Sequence, residues 1–461
     1  MEKINLVDII DVANGKLTAG NSHIFINKIG IDSRTIEQDS MFFAIKGRNL
    51  DGHDFIKDVV EKKVSAVIYS DDGIRINYSP FQPAFIKVEN TSTALELIAK
   101  TYKNKFTDLT TVAITGSNGK TTTKEMLASI LKQRAKTLNN QGNFNNRIGV
   151  PLTVFNLTYD TKYAVFELGT SEFGEIKALT NIVTPDYAII TNIGSSHLEF
   201  FKTQENVLRE KIQIVEGLNN SGTVALNIDN PYLKSIVNTI SKKVITFGFS
   251  ADADVYAKNI KLDMDAPVFD ASVNGTFETF EIPVKGKFNI LNALGAISIA
   301  TAIGFSIHEI KQGLKTFSPP KMRMQSVKFD NGAIVINDAY NANPSSMKES
   351  ISSLEQSYPN RDIMLVLGDM LELGENSEQY HREIGEFINK IQSVSAVYLF
   401  GEKSKYIKET ISNKRTKHFD NRDLLLYDLK KDLKDNSLVL FKASRGIKLD
   451  IIYDKLISRE I

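Results

Sequence analysis

One short segment of the chain has the composition of a phosphate-binding loop. Residues 115–122 read TGSNGKTT and lie between an apolar run and a helical stretch. Gly116 and Gly119 allow a tight turn that points backbone N–H groups at phosphate oxygens. Lys120 suits the β and γ phosphates of a nucleotide, and the Thr121 hydroxyl suits Mg²⁺. The sequence therefore predicts an ATP site at these loop residues: Gly116, Ser117, Asn118, Gly119, Lys120, Thr121 and Thr122.

Two further groups with metal chemistry follow apolar runs. Glu167 ends one such run, and His197 comes a few residues after another. In a parallel sheet both side chains lie at the carboxyl edge, beside the phosphate loop, where ligands bind. A carboxylate and one imidazole form an acceptable set for Mg²⁺ or Mn²⁺. The residues alone also allow a solvated carboxylate at Glu167 and a structural histidine at His197.

The other candidates are less specific. Lys211 lies in the helical run 205–217, where a lysine on a solvated helix face is an equally good interpretation. Asn289 and Asn292 are three residues apart and share one helix face, so they could offer amide hydrogen bonds to a nucleotide. Capping of the same helix by asparagine near Gly286 is the alternative.

A sheet is needed to bring these groups together. From residue 110 onward, apolar strands alternate with helical stretches, and strands without polar alternation are typical of a parallel sheet covered by helices. Three β-like runs between residues 254 and 284 break this alternation and predict an antiparallel insertion. The apolar stretch 291–305 is shorter than the ~20 residues of a membrane span, so it predicts a buried helix.

The length of 461 residues exceeds one hydrophobic core, so two or three domains are expected. The pattern predicts an α/β fold with three domains: a small N-terminal α/β module at residues 1–88, a central P-loop domain with a parallel sheet at 89–319, and a C-terminal Rossmann-like domain at 320–461. Consecutive prolines at 319–320 support the last boundary.

Composition excludes several classes of protein. The 56 Lys and Arg residues balance 55 Asp and Glu residues, which argues against a nucleic-acid wrapper and a polybasic membrane binder. The chain has no cysteine, so thiolate zinc sites, disulfides and thiol nucleophiles are excluded. The first residues do not form the pattern of a signal peptide. We therefore expect a cytoplasmic protein without nucleic-acid partners or direct membrane insertion.

The shortened phosphate loop, with two residues between its glycines, resembles that of the Mur ligases, the ATP-dependent synthetases that build the peptidoglycan stem peptide. Further similar segments are IDSR at 31–34, FFAIKG at 42–47, DGH at 51–53, NFNN at 143–146, ELG at 167–169, NIGSSHLE at 192–199, DAYNANP at 338–344, GDMLELG at 368–374 and KASR at 442–445. The last three are the most diagnostic, and the YNANP run at 340–344 favours the member that adds D-alanyl-D-alanine over its diamino-acid-adding relative. Phe288 departs from the pattern, since the family often has histidine there.

The resemblance implies a reaction. A carboxylate of UDP-N-acetylmuramoyl-tripeptide attacks the γ-phosphate of ATP, and the amine of D-alanyl-D-alanine captures the resulting acyl phosphate, with release of ADP and phosphate. It also implies two Mg²⁺ ions, a monomer, and a Lys211 that is carbamylated by CO₂. The implied catalytic residues are Lys120, Glu167, His197 and Lys211, and the implied metal ligands are Thr121, Glu167, His197 and the Lys211 carbamate.

The resemblance also assigns binding roles. For ATP it adds Asn289, Asn292, Arg323 and Asp338 to the loop. For the UDP-linked substrate it gives Ser33, Arg34, Lys46, Asp51 and His53, with Asn143, Asn145 and Asn146 near the muramoyl or peptide part. For the dipeptide it gives Tyr340, Asn341 and Asn343, and strand-edge position adds Asp369, Glu372, His381, Lys442, Ser444 and Arg445.

Three other functions fit part of the pattern. An amino-acid-adding Mur ligase and a folylpolyglutamate-synthase-like ligase share the loop and the acyl-phosphate chemistry, although the N-terminal DGH segment argues against the second. A nucleotide-gated P-loop module would use hydrolysis to change conformation instead of forming a bond. The third residue of the tripeptide, lysine or diaminopimelate, is not indicated by the sequence.

Overall fold

The computed structural model describes residues 1–47, 49–74, 82–263 and 266–458. The described residues form sheets of two, five, nine and six strands, and helices pack against them. This arrangement confirms the predicted α/β fold with parallel sheets.

A mostly parallel sheet occupies the N-terminal part. Its elements are β1 (Ile4–Asn5), α1 (Leu6–Val12), β2 (Lys16–Ala19), β3 (Phe25–Ile26), β4 (Ile29–Gly30), β5 (Met41–Phe43), a 3₁₀ turn (Gly52–Phe55), α2 (Ile56–Glu61), β6 (Ala66–Tyr69), β7 (Ala84–Lys87) and α3 (Thr91–Lys103). The strand order is β2-β7-β6-β5-β4, and only the β2–β7 pair is antiparallel. Strands β1 and β3 form a separate antiparallel pair.

The central part contains the sheet that the phosphate loop requires. Its elements are β8 (Thr110–Thr115), α4 (Lys120–Leu131), β9 (Thr137–Asn139), α5 (Gly149–Val154), β10 (Tyr163–Glu167), α6 (Glu175–Val183), β11 (Tyr187–Ile190), α7 (Leu198–Phe201), α8 (Gln204–Lys211), α9 (Gln213–Glu216), β12 (Thr223–Asn227), α10 (Pro231–Ile236), a 3₁₀ turn (Val237–Thr239) and β13 (Lys243–Gly248). All pairs in the order β13-β12-β11-β8-β10-β9 are parallel. Every residue of β10 is buried, as expected for a strand covered on both faces.

The predicted antiparallel insertion is confirmed, and it extends the central sheet. It comprises β14 (Val255–Lys261), β15 (Val268–Val273) and β16 (Thr276–Glu281), and is followed by α11 (Lys287–Ile303) and α12 (Ile307–Lys315). Strand β14 pairs with β13 in parallel, and β15 and β16 continue the sheet in antiparallel order. Helix α11 is largely buried against α4 and the sheet. No helix in the described residues has the length and apolar character that a bilayer crossing requires.

The C-terminal part repeats the alternation. Its elements are β17 (Gln325–Lys328), β18 (Ile334–Asn337), α13 (Pro344–Ser357), β19 (Asp362–Gly368), a 3₁₀ turn (Gly374–Asn376), α14 (Ser377–Asn389), β20 (Val394–Phe400), α15 (Lys405–Thr410), β21 (Arg415–Phe419), α16 (Arg422–Asp432), β22 (Ser437–Lys442), a 3₁₀ turn (Arg445–Ile447) and α17 (Asp450–Ile457). The order β17-β18-β22-β19-β20-β21 is parallel except for β17. Asn343 caps α13 and Pro344 occupies its first turn, so the loop before α13 ends at a fixed point.

Apolar contacts connect these parts. Helix α3 packs against α5 and α6 of the central part. One apolar cluster includes Leu294 of α11, Met347 of α13 and Leu365 of β19, so it extends from the central sheet to the C-terminal sheet. The loops at the carboxyl ends of the two sheets are therefore held against each other by a shared core.

The close packing of α12 on the phosphate-loop helix α4 gives a test of the fold. A Cβ added at Gly313 would overlap the backbone of Ile130. We expect Gly313→Ala to lower the free energy of unfolding by about 1–3 kcal/mol, because the two helices must separate. Gly73→Ala is the matched control, since the atoms nearest to its Cβ in the described residues belong to the Asp71 side chain, at 3.4 Å or more. Urea denaturation compares the two variants, and equal stabilities would contradict the packing described.

Candidate active site

The phosphate loop lies between two other strand ends. Strand β8, which precedes the loop, is paired on one side with β10 and on the other with β11. All three strands are parallel, so the loops that follow them meet at one edge. Glu167 ends β10, and the segment from Thr191 to His197 follows β11. The structure thus brings three of the predicted catalytic residues, Lys120, Glu167 and His197, to one edge of the sheet, and Lys211 is not among the residues that line the cavity there.

The loop has the backbone that its glycines predict. Gly116 and Gly119 have φ values of +149° and +81°, in the region that favours glycine. A Cβ at Gly119 would collide with the side-chain amide of Asn292. The Lys120 ammonium donates to the carbonyl oxygens of Gly116 (2.8 Å) and Ser117 (3.3 Å). Burial lowers the pKa of Lys120, although the Glu167 charge opposes this shift.

Glu167 is the buried acid of the site, with 3% of its surface exposed. Thr121 Oγ1 donates to Glu167 Oε2 at 2.8 Å, and Asn145 Nδ2 donates to Oε1 at 2.8 Å. Burial alone would raise the pKa of Glu167, but the nearby charges of Lys120, Lys124 and Arg323 outweigh it and lower the pKa below its ordinary value. Glu167 is therefore a carboxylate at neutral pH.

The asparagine segment 143–146 supports this acid. Besides the Asn145 contact with the carboxylate, Asn146 Oδ1 accepts from the backbone N–H groups of Ile148 and Gly149 at the start of α5. Asn143 and Asn145 line the same cavity as Glu167. The predicted role of this segment in binding the muramoyl or peptide part stays a prediction.

Side chains of the C-terminal part reach the phosphate loop. Arg323 Nη2 donates to Thr121 Oγ1 at 2.9 Å, and its guanidinium lies over the Tyr340 ring, 4.2 Å from the centroid. Asn343 Nδ2 donates to Asn118 Oδ1 at 2.8 Å. The loop after β18 is thereby in direct contact with the loop after β8.

Asp338 has its acceptors engaged within the C-terminal part. Its Oδ2 accepts from Lys442 Nζ (2.6 Å) and Ser350 Oγ (2.7 Å), and its Oδ1 accepts from the backbone of Met324 (3.2 Å). Lys442 Nζ also donates to the Asn341 carbonyl at 3.3 Å. This buried ion pair fixes the loop that carries Tyr340 and Asn341, and it borders the cavity.

His197 faces the C-terminal part. It has a left-handed backbone (φ +53°), and its Nδ1 lies 2.6 Å from Glu372 Oε2. This contact lowers the pKa of the Glu372 carboxyl below its ordinary value. The backbone N–H of Glu199 also donates to the Glu372 carbonyl at 3.1 Å. His197 therefore lies between the predicted metal site and the loop after β19.

Lys211 is buried, with 1% of its surface exposed. Among the described residues, no hydrogen bond or ion pair to its ammonium is present. Burial lowers its pKa well below the ordinary value of 10.5, and the positive charge of Lys120 lowers it further. The neighbouring Glu210 is engaged elsewhere, because its carboxylate accepts from the backbone of Gly174 and Ile176 at the start of α6.

A cavity of about 450 Å³ collects most of the predicted residues. Those that line it are Ser117, Asn118, Gly119, Lys120, Thr121, Thr122, Asn143, Asn145, Asn146, Glu167, His197, Asn289, Asn292, Arg323, Asp338, Tyr340, Asn341 and Asn343. A second cavity of about 160 Å³ adjoins the loop at Asn118 and Gly119 and is lined by Phe288 and Leu291 of α11. Asn292 lines both cavities and donates to Asn289 Oδ1 at 3.0 Å.

The N-terminal candidates lie apart from both cavities. None of Ser33, Arg34, Lys46, Asp51 and His53 is among the described residues that line them. Arg34 forms two hydrogen bonds with the Asp32 carboxylate. His53 is buried, with Nδ1 2.6 Å from Asp51 and Nε2 accepting from the Ser70 backbone. Their contact with a UDP group stays a prediction.

All six strand-edge candidates have partners within the protein. Asp369 Oδ1 accepts from the backbone of Lys403 and Ser404, and His381 Nε2 accepts from the backbone of Met370. Ser444 Oγ donates to the Ala342 carbonyl, which joins the loops after β22 and β18. Glu372 and Lys442 line the large cavity, and Arg445 pairs with Asp450 instead.

The residues present fit a magnesium ion that also contacts nucleotide phosphates. A hydroxyl and an ionised carboxylate, Thr121 and Glu167, lie 2.8 Å apart beside the loop. Mg²⁺ is usually held by one or two such oxygens together with substrate phosphates. No group of three histidine, aspartate or glutamate residues close enough to hold a metal exists in the described ranges. The protein oxygens thus suit a substrate-bound ion better than an all-protein site.

Sequence reasoning missed three residues of the site. Asn192 Oδ1 accepts from the backbone of Asn118 in the phosphate loop (2.8 Å). Asn140 forms hydrogen bonds with the backbone of Glu167. Glu349 of α13 lines both cavities. Asn140 directly follows β9 and Asn192 lies two residues after β11, which is the available signal, whereas nothing in the sequence distinguishes Glu349.

Comparison with known proteins gives a consistent picture. Three family models match the chain: "Mur ligase family, catalytic domain" over residues 25–103, "Mur ligase middle domain" over 114–300, and "Mur ligase, glutamate ligase domain" over 322–445. The chain is 35% identical to the UDP-N-acetylmuramoyl-tripeptide--D-alanyl-D-alanine ligase of Bacillus subtilis (strain 168), with 99% of each sequence covered.

Solved structures agree with this. The chain is similar to MurF from Acinetobacter baumannii, with a TM-score of 0.91 and 29% identity over 99% of both chains. It is also similar to the MurF ligase from Thermotoga maritima in complex with ADP, with a TM-score of 0.85 and 27% identity over 94% of this chain and 98% of the other.

The burial of Lys211 makes stability depend on pH. Its pKa is lowered on folding, so between the folded-state pKa and 10.5 the unfolded chain binds more protons and stability rises with pH. In CO₂-free buffer at pH 7, we expect Lys211→Met to unfold with a free energy about 1 kcal/mol or more above that of the wild type. This advantage should shrink as the pH approaches 10. Lys234→Met, at a surface lysine, serves as the control. If Lys211→Met were less stable than Lys234→Met, burial of the Lys211 ammonium would not be the destabilising feature described.

Proposed function

Because the chain belongs to the Mur ligase family, we propose that it joins D-alanyl-D-alanine to UDP-N-acetylmuramoyl-tripeptide in peptidoglycan biosynthesis. The reaction consumes ATP, proceeds through an acyl phosphate and releases ADP and phosphate. The relatives from Bacillus subtilis and Acinetobacter baumannii carry the names of this ligase.

The observation that best supports the proposal is the contact between Arg323 and Thr121. It brings a C-terminal cation to the end of the phosphate loop, beside the Glu167 carboxylate. A ligase needs this juxtaposition, because the γ-phosphate, the acceptor carboxylate and the incoming amine must meet in one cavity. A hydrolytic switch also uses an arginine and Mg²⁺ at the phosphates, but it has no acceptor carboxylate and no amine to place in the same cavity.

We propose that the phosphate loop holds ATP with its nucleoside in the smaller cavity. Phe288 and Leu291 offer apolar surface there for a base, and Asn292 lies between the two cavities. A solved relative from Thermotoga maritima contains ADP. Asp338, whose acceptors are engaged by Lys442 and Ser350, would act by fixing the adjoining loop unless the nucleotide displaces one of them.

The chemistry requires two anions to approach each other. Lys120 and Arg323 supply positive charge at the place where charge develops on the transferred phosphoryl group. A magnesium ion bound by Thr121 and Glu167 would add to this charge. His197, whose Nδ1 lies 2.6 Å from Glu372 Oε2, would orient substrate groups at the same edge of the sheet. Exclusion of water by the two loops then protects the acyl phosphate from hydrolysis.

The buried Lys211 suits carbamylation. A lowered pKa makes the amine neutral over a wider pH range, and a neutral amine is the form that attacks CO₂. An N–C bond forms, the amine loses a proton to solvent, and the product is an anionic oxygen donor near Lys120. We propose that this carbamate is the additional oxygen ligand for a second Mg²⁺.

The remaining assignments are also proposals. Residues 1–88 would bind the UDP-linked substrate, residues 89–319 ATP, and residues 320–461 the dipeptide through Tyr340 and Asn341. We place the reaction in the cytoplasm, where ATP and nucleotide-linked precursors are available. The monomeric state stays a prediction.

The central test is phosphate release from ATP and Mg²⁺. We expect release only when both a UDP-muramoyl-tripeptide and D-alanyl-D-alanine are present, together with formation of the UDP-linked pentapeptide. Lys120→Ala should lower the rate about 100-fold or more, because it removes charge stabilisation of the transferred phosphate. Tripeptides ending in lysine and in diaminopimelate are tested side by side.

The control for this test is Lys132→Ala. Lys132 is an exposed lysine at the C-terminal end of α4, the helix that follows the phosphate loop. Phosphate release that is indifferent to both substrates would favour the nucleotide-gated module. Turnover of glutamate with a pteridine substrate would favour the folylpolyglutamate-type ligase.

Carbamylation predicts an effect of bicarbonate at constant pH. Bicarbonate should raise the thermal unfolding temperature of the wild type by about 2–4 °C, because a bound CO₂ removes the unfavourable burial of an unpaired lysine. Lys211→Met should show no such increase. ¹³C NMR with labelled bicarbonate should detect a carbamate signal only in the wild type, and equal responses of both proteins would contradict the assignment.

A further inference from the structure

Lys124 is a fully buried lysine next to the residues that hold Glu167 in place. It lies in α4, one helical turn after Lys120, with 0% of its surface exposed. Its ammonium donates to the carbonyl oxygen of Asn140 at 2.5 Å and lies 2.9 Å from Glu125 Oε1. The phosphate loop does not use this group.

Asn140 links that ammonium to the catalytic strand. Its Oδ1 accepts from the Glu167 backbone N–H at 2.9 Å, and its Nδ2 donates to the Glu167 carbonyl at 3.0 Å. Strand pairing between β9 and β10 ends at Asn139 and Val165. Regular pairing with β9 has stopped before Glu167. The Asn140 side chain therefore supplies the hydrogen bonds that a neighbouring strand would otherwise give to the Glu167 backbone.

The same amide also fixes the loop that touches the carboxylate. Asn140 Nδ2 donates to the Phe144 carbonyl at 2.9 Å, and the next residue, Asn145, donates to Glu167 Oε1 at 2.8 Å. Both the backbone and the side chain of Glu167 thus depend on the position of Asn140. Lys124 in turn holds Asn140 through its backbone carbonyl oxygen.

Burying the Lys124 ammonium in this space is energetically unfavourable. Removing an ammonium from water carries a penalty that an ion pair often fails to recover, and a well-packed apolar side chain of similar volume is frequently as stable. An apolar side chain cannot donate to the Asn140 carbonyl. The geometry therefore points to a requirement for position rather than for stability.

We propose that Lys124 is a positioning residue for the ligase reaction, which sets the orientation of the Glu167 carboxylate through Asn140. This inference rests on the proposed function. In the described residues, Lys124 does not contact the phosphate loop through a side-chain hydrogen bond or ion pair. Its replacement should therefore slow the chemical step and weaken the effect of Mg²⁺ on nucleotide affinity, and it should leave nucleotide binding without Mg²⁺ unchanged.

The test compares Lys124→Met with Lys103→Met. Lys103 is also a buried lysine, and it donates to Thr184, away from the site. Both variants should unfold within about 5 °C of each other. For Lys124→Met we expect kcat to fall about 10- to 100-fold with the KM for ATP within about threefold, because misplaced groups of this kind cost rate rather than binding. Lys124→Arg, which keeps a donor, should recover most of the rate.

A second measurement does not depend on turnover. Calorimetry gives the affinity for ADP with and without Mg²⁺, and Lys124→Met should lose most of the increase that Mg²⁺ produces while the Mg²⁺-free affinity is kept. Should Lys124→Met not fold, Asn140→Asp serves instead, since it keeps the acceptor for the Glu167 N–H and removes the donor to its carbonyl. The Lys124→Met and Asn140→Asp losses should not multiply in the double variant, because they act on one linkage.

The proposal would be overturned by a Lys124→Met variant with the kcat and Mg²⁺ effect of Lys103→Met. It would equally be overturned by a loss confined to the KM for ATP. Failure of the wild type to ligate would count against the proposed function, and the ADP series would still decide the role of Lys124.

Discussion

A carboxylate removed from water must be surrounded by donors and positive charge, and at Glu167 this requirement organises the site. Its two oxygens take hydrogen bonds from Thr121 and Asn145, and the nearby cations hold its pKa down. Those donors come from α4 and the loop after β9, and one of the cations, Arg323, comes from the C-terminal part. Residues from three separate segments therefore favour the anionic form of this acid.

The same constraint explains the burial of so many charged groups around the loop. Lys124 and Lys211 are buried and Lys120 is partly buried, and burial is unfavourable for a cation unless an anion is close. Glu167 serves Lys120, and Glu125 serves Lys124, whereas Lys211 has no such partner among the described residues. Lys211, which lacks a partner, is also the lysine whose pKa burial lowers well below the ordinary value.

Much of this arrangement could be predicted because it depends on local patterns. The strands β8 and β10 have apolar, buried centres at residues 112–114 and 164–166, and the glycines of the loop have the positive φ values that their spacing requires. The antiparallel strands after residue 254 were also visible as runs without helices. What could not be predicted is which partner each polar side chain selects, since that depends on contacts distant in sequence.

Several residues show this limit. Asn145 reads as part of an asparagine-rich turn, yet it contacts a carboxylate 22 residues later. His53 reads as a group for a diphosphate, yet both of its ring nitrogens have partners within the N-terminal part. The contact between Asn118 and Asn343 joins two neutral amides, and a hydrogen bond of this kind contributes only about 1 kcal/mol. Neutral contacts respond weakly to salt, so this link between the two loops should keep its strength across the physiological range of ionic strength, whereas the Arg323 and Glu372 contacts beside it involve charged groups.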